Sequence, residues 1–185
     1  MALDLTWDLF VVVFFLVIIA YSFIIGKNQT MKVIISTYVA ILAAEGIGNI
    51  VEKYLIGADP LIEIFTVSKL ASALIILKIA IFVFTIVLLA TKGGFEINLE
   101  EEKSTFLYVA MTSVYGVLSA GLIVSTILIY TSGVSMIEGT VDLTNTIIYP
   151  VYESSFLVRQ MINNAHTWFS LPAIALIFSS FTSKA

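Results

Sequence analysis

The chain has no cysteine, one histidine and three prolines, and only 12% of its 185 residues are charged. Without cysteine there is no disulfide, thiol nucleophile, zinc knuckle or iron–sulfur cluster. A single imidazole, His166, excludes sites that need two, including His-Glu-x-x-His zinc centres. Nine basic residues and a net charge of −4 supply no clustered basic face, so nucleic acid is not an expected partner. There is no glycine-rich phosphate loop and no Gly-x-Ser-x-Gly turn. Isolated serines, tyrosines and aspartates make no active site without a positioned base, so the chain reads as a non-enzyme without cofactor or metal.

What fills the space left by charge is apolar: 59% of residues are hydrophobic and the mean hydropathy is +1.05. Soluble domains carry about 25% charged residues, twice the share found here. This is the composition of a membrane protein. At about 20 apolar residues per crossing, the length suits four helices with short loops.

Four hydrophobic stretches meet that expectation, at 9–25, 33–51, 70–90 and 106–130. Each is followed by a glycine, Gly26, Gly57, Gly93 and Gly133, the residue that most easily closes a helix end. Asp59 before Pro60 reads as an N-cap with proline in the first turn. Asn98 and Glu101 have capping-box spacing, which predicts a fourth helix that starts in water and enters the bilayer near Phe106. The acidic run Glu100, Glu101, Glu102 reads as a solvated helix start. The first stretch is not expected to be a signal peptide, because Asp4 and Asp8 replace its positive n-region.

The chain is therefore expected to be an all-α integral membrane protein: a four-helix transmembrane domain over 1–133 and a membrane-associated tail over 134–185. In the tail, 144–165 reads as an amphipathic helix. Ile147, Ile148, Val151, Val158, Met161 and Ile162 lie near one face, with Glu153, Arg159, Gln160 and Asn163 opposite. The apolar segment 168–178 holds Pro172 and suits a re-entrant or interfacial position, with Trp168 as anchor. Lys27, Lys32, Lys92 and Lys103 place the first and third loops in the cytoplasm. With four crossings, both termini then face outward.

Ionisable groups inside spans carry the candidate site. Glu45 and Lys78 both lie roughly 20 Å from the cytoplasmic helix ends at 1.5 Å per residue, so antiparallel second and third helices allow them to pair. The pair is either structural or part of a proton or ion relay. Glu45, Gly48, Asn49 and Glu52 share one helical face, either a permeation path or an assembly seam. On the fourth helix, Gly116 with Ala120 and Gly121 with Ser125 have the small-x-x-x-small spacing of close helix packing. The bilayer is one partner, and a second copy or another membrane protein is the expected other.

The order of features resembles the colicin V production protein family of the bacterial inner membrane. Asp8 enters the first helix, and a Gly26-Lys27 loop leads to a helix with Ser36. The fourth helix reads Gly-Val-Leu-Ser-Ala-Gly-Leu-Ile-Val-Ser over 116–125, and an amphipathic tail carries Ser154 and Ser155. The resemblance implies four membrane helices and an accessory role in toxin production or export and envelope homeostasis. Three functional expectations follow: an accessory or scaffold acting through helix contacts, a small ion or proton channel or transporter subunit lined by Glu45, Asn49 and Lys78, and a phage-type holin. The long tail disfavours the last.

Overall fold

The computed structural model describes residues 6–55, 63–97, 104–133, 146 and 148–182. The helix signals at Gly57, Asp59, Pro60, Asn98, Glu101 and the acidic run 100–102 lie outside these residues. Among the described residues 91% are helical and none is in a strand. Helices satisfy their own backbone hydrogen bonds, which hydrocarbon requires. The elements are α1 (Trp7–Leu55), α2 (Glu63–Lys92), α3 (Thr105–Thr131), α4 (Tyr149–Ser154), α5 (Phe156–Asn163) and α6 (Ala165–Thr182). Three helical stretches are long and apolar enough to cross a membrane: Trp7–Tyr54, Ser72–Lys92 and Thr105–Thr131.

The first of these is not one rod. At 1.5 Å per residue its 48 residues would reach about 70 Å, more than twice the ~30 Å hydrocarbon thickness. Gly26 breaks it with φ 79° and ψ 170°, a backbone conformation that side chains with a Cβ rarely adopt. The two arms, 7–25 and 27–55, run in opposite directions along α3. A Cβ placed on Gly26 would lie 3.3 Å from the Tyr108 hydroxyl, and one on Gly116 would lie 3.1 Å from Ser22 Oγ. Val11 shares a buried cluster with Val124 and Leu128. Arm one therefore descends as α3 rises. Arm two rises with it: Met31 and Ile34 pack in the cluster of Tyr115 and Leu118, and Tyr130 donates to Ile41 O at 3.3 Å. α2 returns antiparallel to arm two, with Lys78 beside Glu45 and Gly93 O accepting from Lys32 Nζ at 2.8 Å.

The outside is apolar, unlike that of a soluble domain, and the core mixes apolar with small hydroxyl side chains. Leu16, Ile24, Leu42, Phe84 and Phe106 point outward, while Ser22, Thr30, Ser36, Thr37, Ser119, Ser125 and Thr126 are buried. Small hydroxyl side chains let helices approach closely in an apolar solvent. Most of them return the hydroxyl hydrogen to the carbonyl four residues back, as Ser22 does to Ile18, Ser36 to Lys32 and Thr37 to Val33.

The tail differs from the sequence expectation of one amphipathic helix followed by an interfacial segment. Ser155 is extended (φ −112°, ψ 121°) and caps α5 by accepting from Val158 N, which splits the helix into α4 and α5. α5 buries Val158, Met161 and Ile162 and exposes Arg159, Gln160 and Asn163. α6 is a continuous helix of 18 residues through Pro172, packed lengthwise on the bundle. Trp168 lies against Gly121 and Phe15, Tyr38 donates to Phe169 O, and Ser179 Oγ reaches Met31 Sδ at 3.7 Å. Pro172 removes the helical donor for the carbonyl next to Phe169, so the Tyr38 hydroxyl bonds where the helix is least complete. The tail thus runs from the level of Asp8 to that of Met31, along the whole bundle, and shares its core.

Candidate functional site

Arm two and α2 build an ionic cluster among apolar neighbours. Lys78 Nζ lies 3.0 Å from Glu45 Oε2 and 3.4 Å from Asn49 Oδ1. The Glu45 side chain is 3% exposed and that of Lys78 14%. Gly48 lets the lysine lie flat against arm two: a Cβ there would stand 2.5 Å from Lys78 Cε. Helical geometry explains the grouping, because residues 45, 48 and 49 share a face and a Lys stem on the opposing helix crosses it. Glu52, placed on the same face by spacing, is exposed and outside the cluster. A carboxylate and an ammonium at hydrogen-bond distance neutralise each other, which makes their burial tolerable.

α3 holds the packing residues. Gly116 faces Ser22 and Ile19 Cα of arm one, Ala120 is fully buried, and Gly121 faces the indole of Trp168, 2.0 Å from where a Cβ would be. Ser125 Oγ contacts Met161 Sδ at 3.5 Å. The spacing of small residues thus serves two different neighbours, arm one and α6. Thr112 Oγ1 and Ser119 Oγ, seven residues apart on α3, are buried without a hydrogen-bond partner.

Sequence reasoning missed the junction between arm one and the tail. Asp8 Oδ1 accepts from Ser155 Oγ at 2.6 Å and from Leu157 N at 2.8 Å. A carboxylate thereby sits at the N-terminus of α5, where free N–H groups and the helix dipole favour negative charge. The signal was an aspartate entering one apolar stretch and a serine three residues before Val158 in another, but only the fold brings them together. Beside it, Tyr149 donates to Glu153 Oε1 at 2.8 Å, and that bond raises the phenol above its ordinary value. Arg159 Nη2 donates to Glu153 O at 2.7 Å, with its guanidinium over the Tyr152 ring. His166 is exposed and joins neither cluster.

At the other end, Lys32 reaches Gly93 O and lies 5.2 Å from the Phe95 ring centroid. Among the described residues, no three His, Asp or Glu side chains converge as metal ligands would. Comparison with models of protein families, with curated proteins and with solved structures finds no match.

Proposed function

We propose that the chain is a multi-pass membrane accessory or scaffold protein that acts through helix–helix contacts, without catalysis of its own. The observation that carries this reading is the closed Glu45–Lys78 pair. Glu45 is spent on an internal ammonium, and the Gly48 contact packs the lysine stem against arm two. A carboxylate that relayed protons would need access to water.

In the proposed topology both arms of α1 cross the bilayer, as do α2 and α3. The end carrying Lys27, Lys32 and Lys92 lies in the cytoplasm, by the excess of lysine in short loops. α5 and α6 supply a further passage, supported by their contacts from Asp8 down to Met31. The N-terminus then faces outward, and the end of α6 returns to the cytoplasmic side. That revises the outward C-terminus expected from four crossings. The bacterial inner membrane, a place near the colicin V production family and a role in toxin export or envelope homeostasis are part of this proposal, resting on the sequence resemblance. The small residues of α3 are occupied within the chain, so a second copy or a partner protein would dock on the outward faces of arm two and α2.

A second reading, a small conducting subunit, draws on Asn49, which is exposed while it accepts from Lys78, and on the unpartnered hydroxyls of Thr112 and Ser119. Reconstitution into liposomes separates the two. The scaffold reading expects no proton or ion flux from folded wild type above protein-free vesicles, and none from Glu45→Gln. Flux in wild type that Glu45→Gln abolishes would replace it with the conducting reading.

A further inference from the structure

Where arm one, α3, α4 and α5 meet, they line a half-open cavity of about 270 Å³. Its walls include Phe10, Val11, Phe14, Val124, Leu128 and Val158. The hydroxyl of Thr131, which also lies on the wall, is turned to Leu128 O at 2.8 Å. Water in a protein interior needs two to four polar partners, and this wall is almost wholly apolar, so an apolar occupant is favoured. Trp7, half exposed, stands at the rim.

Polar groups gather at the α4–α5 turn beside it. Arg159 is an exposed residue that spends two donors on the carbonyls of Tyr152 and Glu153. A guanidinium carries five N–H donors in a fork that matches phosphate oxygens. We propose that this cavity binds one acyl chain of a membrane phospholipid, with the phosphodiester at Arg159. An acyl chain brings no group that needs a hydrogen bond. A peptide segment would leave its backbone N–H and C=O groups unpaired against this wall, and a helix, about 10–12 Å across, is too wide for the space. The proposal rests on the membrane reading and is independent of whether the protein is a scaffold or conducts.

Trp7 provides the test, since the chain holds only two tryptophans. The Trp168→Phe variant, in detergent, is titrated with a lysophospholipid whose chain is dibrominated, and Trp7 fluorescence is read. The expected result is quenching that saturates and is reversed by the unbrominated lysophospholipid. Val124→Phe, or Val151→Phe at the half-buried rim should the first not fold, shifts the half-quenching concentration upward by about fivefold or more, because the added ring occupies the chain's volume. Arg159→Gln weakens binding of the lysophospholipid but not of a brominated fatty alcohol. Quenching that rises without limit with probe mole fraction, and equally in the filled variants, overturns the site. Displacement by an apolar peptide but not by lysophospholipid overturns it in favour of a protein ligand. Membrane insertion is read separately by carbonate extraction of vesicles: release from the vesicles removes the membrane reading whatever the quenching shows.

Discussion

Lys78 has two neighbours that matter energetically, Glu45 and Gly48, and each makes a different demand. Removing Glu45 leaves an ammonium in a site 14% exposed, with the Asn49 amide oxygen its remaining hydrogen-bond partner among the described residues. Breaking a buried pair costs about 3–5 kcal/mol, because the surviving charge loses its compensation. Glu45→Ala is therefore expected to lower thermal stability in detergent by that order, and the Glu45→Ala, Lys78→Ala double variant to recover most of the loss. Equal loss in single and double variants would mean that the pair contributes nothing as a pair. Gly48→Leu tests the second demand. Its side chain enters the volume of the lysine stem, so Lys78 must leave Glu45, and the stability should fall toward that of Glu45→Ala. The pair was legible in the sequence because helical rise fixes depth and antiparallel neighbours share levels. The role of Gly48 was not, since only the placed lysine shows what a Cβ would strike.

α5 and α6 are held by contacts remote in sequence. Asp8 accepts from Ser155 and Leu157, so α5 takes part of its N-terminal capping from arm one. Asp8→Asn should accelerate hydrogen exchange of the Leu157 and Val158 amides by about tenfold relative to those of α3, as local opening becomes easier. Unchanged exchange there would show that Ser155 alone caps the helix. Gly121→Ala acts on α6. The added methyl would overlap the Trp168 indole, and overpacking of this kind typically costs about 1–3 kcal/mol. The measurement is Trp168 fluorescence in a Trp7→Phe background, where a shift in the emission maximum reports displacement of α6. At this scale the small-x-x-x-small spacing announced close packing but not the partner. Gly116 meets arm one and Gly121 meets α6, which a single helix cannot specify.

The whole molecule is organised around α3. Arm one packs with α4, α5 and Trp168 along one part of it, and arm two packs with α2 and the rest of α6 along another, in clusters that share the helix but contain different residues. The proposed topology has a direct test with engineered cysteines, since the natural chain has none. Asn28→Cys and Ser180→Cys should both resist an impermeant thiol reagent added to intact cells and both react after permeabilisation. Labelling at residue 180 alone would return the tail to the outer leaflet, and labelling at residue 28 would invert the orientation.

Composition, the apolar stretches and the depth of Glu45 and Lys78 were properties of the sequence by itself, because hydropathy and helical rise are local and additive. The break at Gly26 was also marked locally, since a glycine between two apolar stretches is where a helix can reverse. The course of the tail was not. Residues 144–178 are too interrupted to read as a crossing, and their polarity suits a leaflet surface equally well. The tertiary structure decided where the tail packs, because Asp8, Gly121, Tyr38 and Met31 together offer a capping carboxylate, a hollow for an indole, a hydroxyl donor and an apolar seat along one line of the bundle. Complementarity of that kind depends on residues from about fifty to about 150 positions apart, and no local window of the sequence contains it.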